Sequence, residues 1–192
     1  YHLKFQSVET AYYYSLEDAL KNQDDVYKLD LSSRELSSLT GTIGKLKNLV
    51  LLDLRNNKLA DLPSELFSLT HLIKLDLGNN KLSSVPSQLC SLKNLEQLHL
   101  NGNNITEVVS QLNCLSGLQM LFLQNNQVEY ISSDIGKLKN LRYLYLFNNE
   151  LSKIPDEISN LTNLQVLLLQ NNKLTQVPTN IDKLTKLGYY SD

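Results

Sequence analysis

Residues 141–151 read LRYLYLFNNEL, with leucine at the first, fourth, sixth and eleventh places and asparagine at the ninth. The same spacing recurs every 23 residues along the chain, without an insertion or deletion. The first place of the repeat, called position 1, is occupied by Val26, Leu49, Leu72, Leu95, Leu118, Leu141, Leu164 and Leu187. A constant period of this length is typical of a solenoid built from one repeated structural unit.

The remaining positions of the repeat are also regular. Positions 4 and 6 are leucine in all seven units, and position 11 is always aliphatic. Position 9 is Arg34 in the first unit and asparagine in the others, namely Asn57, Asn80, Asn103, Asn126, Asn149 and Asn172. Proline follows an aliphatic residue at position 15 in four units, at Pro63, Pro86, Pro155 and Pro178. This pattern resembles the leucine-rich-repeat motif L-x-x-L-x-L-x-x-N-x-L of the 23-residue L-P-x-x-I-x-x-L-x-x-L class.

The alternation within each unit predicts a short strand. Side chains at positions 4 and 6 point to one side of it, and those at positions 3, 5 and 7 point to the other. One strand cannot bury its own leucines, so stacked units share an apolar interior and pair in a parallel sheet. The asparagine lies where the chain leaves the strand, and we expect its amide to pair with buried backbone groups. The resemblance implies an α/β leucine-rich-repeat solenoid, with a curved parallel sheet on the concave face and short helical, 3-10 or irregular segments on the convex face.

We predict three segments along the chain. Residues 1–25 form an N-terminal capping segment, in which Ser15 caps a short helix. Residues 26–186 form seven repeats, and residues 187–192 begin a truncated eighth repeat whose strand edge is available for pairing unless the chain continues. The chain begins at Tyr1 rather than Met, so we expect a segment upstream of it, such as a signal peptide or a tag.

The N-terminal segment carries a second resemblance. Residues 14–22, YSLEDALKN, lead into VYKLDL at residues 26–31. This combination is similar to the N-terminal segment of leucine-rich-repeat proteins from pathogenic spirochaetes. The resemblance implies an exported protein that meets host proteins.

Composition and charge exclude several classes of function. The 192 residues carry a net charge of −2, with 7 Gly, 4 Pro, 2 Cys and no Trp. Lysines are scattered among acidic residues, so the sequence has no basic patch for nucleic acid. No apolar run approaches the roughly 20 residues that a transmembrane helix needs. The three histidines fall in no metalloprotease motif, and there is no nucleophile elbow or phosphate-binding glycine loop, so we predict that the protein is not an enzyme.

The outward positions of the strands change character along the solenoid. Position 5 changes from aspartate in the first units to aromatic and aliphatic residues in the later ones. Because neighbouring strands lie about 4.8 Å apart, the apolar residues at positions 3, 5 and 7 form one patch. This concave aromatic surface consists of Met120, Phe122, Tyr143, Tyr145, Phe147, Val166 and Leu168. We interpret it as a binding site for a protein partner; the alternative is that these side chains only pack on one another.

The acidic end of the same column also has two interpretations. Asp30, Asp53 and Asp76 repel one another on successive strands, and Lys28, Lys74 and Arg55 lie close enough to compensate. The other possibility is that Asp53, Asp76 and His99 bind a divalent cation such as zinc, since carboxylate and imidazole are ordinary zinc ligands. The sequence indicates no other cofactor.

Cys90 and Cys114 fall on the convex side, where we expect the units to stand farther apart than the strands. We therefore predict two free thiols. The leading functional hypothesis is an exported bacterial protein, secreted or at the cell surface, that binds a host receptor or matrix protein. The alternatives are a cytoplasmic scaffold that docks a signalling protein on the same face, and a structural protein that associates with itself.

Overall fold

A computed structural model of the chain describes residues 11–108, 112–176, 178 and 180–191. Its strands are β1 (Tyr12–Tyr13), β2 (Lys28–Asp30), β3 (Leu51–Asp53), β4 (Lys74–Asp76), β5 (Gln97–His99), β6 (Glu107–Val108), β7 (Met120–Phe122), β8 (Tyr130–Ile131), β9 (Tyr143–Tyr145), β10 (Val166–Leu168) and β11 (Tyr189–Ser191). Within the described residues, nine of them form one sheet in the order β1-β2-β3-β4-β5-β7-β9-β10-β11. Strands β6 and β8 pair separately in a small parallel sheet.

The large sheet is parallel throughout and has a constant register. Each three-residue strand occupies positions 3 to 5 of its unit, and each residue pairs with the residue 23 positions further on. Leu98, for example, lies opposite Leu121. The fold is therefore the predicted leucine-rich-repeat solenoid. We call the outward side of this sheet, which carries positions 3, 5 and 7, the concave face.

Short 3-10 helices return the chain from one strand to the next. They span Gln23–Asp25, Gly41–Lys45, Ser64–Ser68, Ser87–Ser91, Ser133–Lys137, Asp156–Asn160 and Ile181–Lys183. Pro63 and Pro155 immediately precede two of them with φ of −66° and −65°, the angle that the proline ring imposes. Ser132 takes this place in a unit without proline, and its hydroxyl accepts a hydrogen bond from the Asp134 N–H.

The predicted N-terminal cap is a six-residue helix, α1 (Leu16–Lys21). The Ser15 hydroxyl accepts a hydrogen bond from the Asp18 N–H at 3.3 Å, which satisfies one of the free donors of the first turn. Ala19 on this helix is fully buried in the core, so α1 covers the apolar end of the first repeat. None of the helices in the described part of the chain is long and apolar enough to span a membrane.

The interior is a continuous column of leucine. The leucines at positions 4 and 6 are 0 to 4 % exposed, and they belong to one apolar cluster that runs from Ala19 to Leu184. Burying a leucine side chain contributes roughly 1.5 to 3 kcal/mol. In a solenoid, the leucines of one unit pack against those of the neighbouring units. The stability of each repeat therefore depends on its neighbours.

The position 9 asparagines form a ladder of hydrogen bonds through the interior. The Asn103 Nδ2 group donates to the Leu100 carbonyl of its own unit and to the Leu77 carbonyl of the unit before, both at 3.0 Å. Its Oδ1 accepts the Leu82 N–H at 3.0 Å. The same donor and acceptor pattern recurs at Asn57, Asn80, Asn126, Asn149 and Asn172. Each amide thus joins two successive turns of the solenoid through backbone groups that are buried or partly buried.

A second asparagine column lies beside the first, at position 8. This position has a left-handed backbone in all seven units, with φ between +53° and +64°, at Ser33, Asn56, Asn79, Gly102, Asn125, Asn148 and Asn171. Asparagine and glycine tolerate this conformation better than other residues. The exposed amides also pair with one another, as in the hydrogen bond from Asn171 Nδ2 to Asn148 Oδ1 at 2.7 Å. The two asparagines of the repeated Asn-Asn pair therefore have different roles. The first adopts the left-handed turn, and the second forms the hydrogen-bond ladder.

The prediction of two free thiols is wrong. Cys90 and Cys114 form a disulfide bond, and their Cα atoms are 5.4 Å apart. We expected the convex side to be more widely spaced than the sheet, but at this pair the units approach almost as closely as paired strands do. Cys90 lies in the 3-10 helix Ser87–Ser91, and Cys114 lies in the turn that follows Leu112.

Replacing Asn103 with alanine tests the buried ladder. We expect Asn103→Ala to lower the free energy of unfolding by about 1 to 3 kcal/mol, because it leaves buried backbone groups unpaired. Urea unfolding followed by circular dichroism measures the change. Asn104→Ala, at the exposed neighbouring residue, is the control and should have little effect. Equal loss in the two variants would contradict the role given to Asn103.

Thiol counting and stability measurements test the disulfide bond. Without a reductant, the denatured chain should contain no thiol that reacts with Ellman's reagent. Because the bond closes a loop between residues 24 positions apart, the variant Cys90→Ala with Cys114→Ala should lose about 3 kcal/mol of stability. Two reactive thiols per chain in the oxidised protein would show that the bond does not form.

Candidate functional site on the concave face

The register of the sheet aligns the outward residues in straight columns. At position 5, Asp76 lies opposite His99, His99 opposite Phe122, and Phe122 opposite Tyr145. At position 3, Met120 pairs with Tyr143, which pairs in turn with Val166. The structure therefore brings these members of the concave aromatic surface onto adjacent strands. Leu168, opposite Tyr145, continues the position 5 column.

Three rings of the position 5 column stack across successive strands. The rings of Phe122 and Tyr145 are almost parallel, at 8°, with centroids 4.7 Å apart. His99 lies on the other side of Phe122, with a centroid distance of 4.2 Å and an angle of 27°. Stacking of this kind contributes about 0.5 to 1.5 kcal/mol beyond the buried area. The rings therefore hold one another in fixed orientations.

The concave aromatic surface is half-buried rather than fully exposed. All seven of its residues, Met120, Phe122, Tyr143, Tyr145, Phe147, Val166 and Leu168, have intermediate exposure. The large apolar residues that are exposed in the described chain are Tyr12, Tyr14 and Tyr130, none of which belongs to this surface. Mutual packing covers part of each side chain, and the remaining part still faces outward. The two sequence interpretations, packing and partner binding, are thus compatible in this geometry.

The position 5 aspartates have a structural role that sequence reasoning missed. Each accepts a hydrogen bond from the backbone N–H two residues further on: Asp30 from Ser32, Asp53 from Arg55, and Asp76 from Gly78, at 2.9 to 3.0 Å. Aspartate commonly stabilises a turn in this way. The sequence could have indicated this role, because β2, β3 and β4 each end in an aspartate that comes shortly before a turn.

The environments of these carboxylates shift their pKa values in opposite directions. Burial raises the pKa of Asp53, and the neighbouring Asp76 and Asp30 add to this effect against the opposing influence of Arg55. Partial burial would raise the pKa of Asp30, but the hydrogen bonds from Ser32 and the nearby positive charge of Arg55 outweigh it and lower that pKa. The guanidinium Nε of Arg55 lies 3.2 Å from the Asp53 carboxylate. The predicted compensation by Arg55 is therefore a direct ion pair.

The geometry gives no support to the zinc hypothesis for Asp53, Asp76 and His99. Asp53 pairs with Arg55, whereas Asp76 points towards His99, with 3.6 Å between its Oδ2 and the imidazole Nδ1. Within the part of the chain that the structure describes, no three histidine, cysteine or acidic residues are grouped so that they could hold a metal ion.

A polar groove of about 430 Å³ adjoins the aromatic surface. It lies along the edge of the large sheet where the chain leaves strands β2, β3, β4, β5 and β7. Phe122 lines the groove and also belongs to the aromatic surface. Its polar lining includes Arg55, Asp76, His99, Asn101 and Gln124. The sequence columns did not predict this groove, because it depends on which side chains turn towards the edge of the sheet.

A family model described as a leucine-rich repeat region matches residues 20–129 and 123–190. These ranges cover most of the 192 residues. The chain belongs to the leucine-rich-repeat family. A comparison of this leucine-rich-repeat protein with curated proteins found no match. The family is generally not enzymatic, and its fold supports a module for protein–protein interaction.

Several solved structures are similar to this leucine-rich-repeat protein. Internalin C2 from Listeria monocytogenes is 30% identical, with a TM-score of 0.79, and the match covers 90% of this chain and 76% of that one. The leucine-rich-repeat ectodomain of the plant membrane receptor kinase GASSHO1/SCHENGEN3 from Arabidopsis thaliana, in complex with Casparian strip integrity factor 2, is 28% identical, with a TM-score of 0.63. That match covers 86% of this chain and 23% of the ectodomain. A leucine-rich-repeat protein of Leptospira interrogans is 25% identical, with a TM-score of 0.49, over 93% of this chain and 69% of that chain.

The stability of this leucine-rich-repeat protein should depend on pH through His99. Burial lowers the pKa of His99 and outweighs the nearby Asp76 carboxylate, which raises it. The unfolded chain therefore binds more protons, and stability should fall as pH decreases through about 6.5. Urea unfolding at about pH 7.5 and about pH 5.5 measures this loss. His99→Phe should reduce the loss while keeping the stack on Phe122.

His71→Gln is the matched control, because the Nδ1 atom of His71 pairs with the Lys47 carbonyl outside the concave face. It should retain the pH dependence of the unchanged protein. If His99→Phe retains it as well, the half-buried imidazole of His99 is not the source of the pH dependence.

Proposed function

We propose that this protein is an exported bacterial leucine-rich-repeat protein that binds a host receptor or matrix protein, without catalysis, through its concave aromatic surface. The stacked rings of Phe122 and Tyr145 carry this proposal. They lie on adjacent strands, and Tyr143, Phe147 and Val166 are half-buried around them. A rigid apolar surface of this kind costs little conformational entropy when a partner covers it.

The composition of the surface suits a protein partner. Burying a fully exposed aromatic or aliphatic side chain contributes on the order of 1.5 to 3 kcal/mol, and covering one of these half-buried side chains contributes part of that. Two or three such residues are enough to act as hot spots, which are enriched in tyrosine and surrounded by residues that exclude water. The polar groove beside Phe122 would supply part of the polar rim.

The disulfide bond supports export. Disulfide bonds persist in oxidising compartments and are rare in the cytosol, so the Cys90–Cys114 bond favours a secreted or cell-surface protein over a cytoplasmic scaffold. The Arabidopsis ectodomain, a leucine-rich-repeat structure similar to this one, forms a complex with Casparian strip integrity factor 2.

Affinity capture of host-cell surface and matrix proteins tests the proposal. The unchanged protein should retain a partner that the variant Tyr143→Ala, Tyr145→Ala, Phe147→Ala loses. Removing three partly buried rings from the interface should weaken binding at least about a hundredfold, since each hot-spot residue contributes 1 to 2 kcal/mol or more. Circular dichroism must show an unchanged fold in the variant.

Tyr130→Ala is the matched control, because Tyr130 is an exposed tyrosine on the separate β6–β8 sheet. It should retain the partner. Retention by the triple variant would contradict binding through the concave aromatic surface. Concentration-dependent dimers that the triple variant abolishes would instead make self-association the function of this surface.

A further inference from the structure

Positive charge is concentrated where the chain enters the strands of the large sheet. The chain reaches each strand through positions 20 to 23 of the repeat, and we call this side of the solenoid the entry edge. Over the seven units, these positions contain seven lysines and no acidic residue, although the whole chain has a net charge of −2. In the sequence the lysines are scattered among acidic residues, and the fold brings them to one edge.

The lysines recur on alternate units. At position 22 they belong to the first, third and fifth units, and they are Lys47, Lys93 and Lys139. At position 20 they belong to the first, fifth and seventh units, and they are Lys45, Lys137 and Lys183. The units between them have neutral residues at position 22, namely Thr70, Ser116 and Thr162. We call the six lysines the lysine row. Because neighbouring strands lie about 4.8 Å apart, its charges recur about every 10 Å.

Hydrogen bonds hold the backbone of the lysine row at this spacing. The side chain at position 23 of one unit bonds to the backbone carbonyl at position 22 of the unit before. The Asn163 Nδ2 group donates to the Lys139 carbonyl at 2.8 Å, and the His71 Nδ1 atom lies 2.9 Å from the Lys47 carbonyl. The same contact to the unit before recurs at Asn48, Asn94 and Asn140. The lysines are therefore attached to a regular backbone.

Most of the charge of the lysine row is free of carboxylates. All six side chains are exposed. Among the residues that the structure describes, Lys137 is the one member of the row with an ion pair, to Asp134 at 2.6 Å. Lys47 Nζ donates instead to the uncharged Ser68 hydroxyl at 2.9 Å. Acidic residues of the 3-10 helix Gln23–Asp25 adjoin the N-terminal end of the row.

A single line of lysines suits a linear polyanion. The lysine ammonium is a compact charge that binds an anionic group without the fixed geometry of arginine. Sites for single-stranded nucleic acid add aromatic side chains on which bases stack, and positions 20 to 23 contain no phenylalanine, tyrosine or tryptophan. Membrane-surface segments add apolar side chains. The large apolar residues exposed in the described chain lie at none of these positions, since they are Tyr12, Tyr14 and Tyr130.

We propose that the lysine row binds a linear sulfated polysaccharide, which lies along the entry edge and contacts the lysines of alternate units. Such polysaccharides occur outside cells, in the oxidising environment that the Cys90–Cys114 bond favours. From the first unit to the seventh, the row extends over about 30 Å. It shares no residue with the concave aromatic surface, so this inference goes beyond the proposed function and does not rest on it.

Calorimetric titration with heparin oligosaccharides of defined length tests the proposal. At about 0.15 M salt, a heparin decasaccharide should bind saturably. It should bind more tightly than a tetrasaccharide, which is too short to contact the whole row. The affinity should fall as the salt concentration rises, because binding releases counterions from the polyanion. The variant Lys47→Gln, Lys93→Gln, Lys139→Gln should bind the decasaccharide at least about tenfold more weakly, because three charge contacts are lost.

The variant Lys58→Gln, Lys81→Gln, Lys173→Gln is the matched control. These lysines are exposed and share position 10, on the side where the chain leaves the strands, and their replacement changes the net charge equally. The control should keep the affinity of the unchanged protein. The proposal is overturned if the decasaccharide does not bind, if the two oligosaccharides bind equally, or if the control loses as much affinity as the lysine-row variant.

Other polyanions decide the class of ligand. Single-stranded polydeoxythymidine and vesicles of phosphatidylserine with phosphatidylcholine should bind more weakly than the decasaccharide at the same salt concentration. If either binds as tightly and through the same lysines, the lysine row is a nucleic-acid or membrane site and the proposal is overturned. The variant Tyr143→Ala, Tyr145→Ala, Phe147→Ala should bind the decasaccharide as the unchanged protein does. Failure of this titration and failure of the capture experiment are therefore distinguishable.

Discussion

Each turn of this solenoid is too short to form a stable structure by itself, and the hydrogen bonds of the position 9 asparagines join it to the next turn. A three-residue strand has few backbone partners and cannot enclose its own leucines. The Asn103 amide bonds to carbonyl groups on two successive units, so it fixes both the turn after the strand and the spacing between the units. The straight columns of the concave face follow from this spacing. Together with the register of the sheet, this spacing places the ring of Phe122 against that of Tyr145.

The fold could be predicted from the sequence because the core repeats with a constant period. Leucine at positions 4 and 6 specifies which side of each strand is buried, and this needs no knowledge of distant contacts. The small convex sheet of β6 and β8 and the disulfide bond could not be predicted. Both depend on local departures from the repeat, and a rule for the average unit does not describe how closely Cys90 approaches Cys114.

The sequence predicts which residues of the candidate site align on adjacent strands, but it does not predict what their side chains contact. The repeat register by itself places Phe122 beside Tyr145, and the structure adds that the rings are stacked and half-buried. In the sequence, the aspartates of position 5 indicate either mutual repulsion that nearby basic residues offset or a cation site. Their main role depends on the backbone N–H groups of the following turn, as for Asp76 and Gly78. The polar groove depends on side-chain orientation, which a residue pattern does not specify.

The disulfide bond gives the solenoid a mechanical property that its other repeats lack. A repeat protein pulled from its two ends extends by peeling one unit after another from the stack, because each unit contacts only its neighbours. The bond between Cys90 and Cys114 spans 24 residues, which remain closed as a loop when the surrounding units unravel. The fully extended chain is shorter by about 80 Å as a result. For a protein attached to a surface at one end and to a partner at the other, this loop limits how far the two can separate.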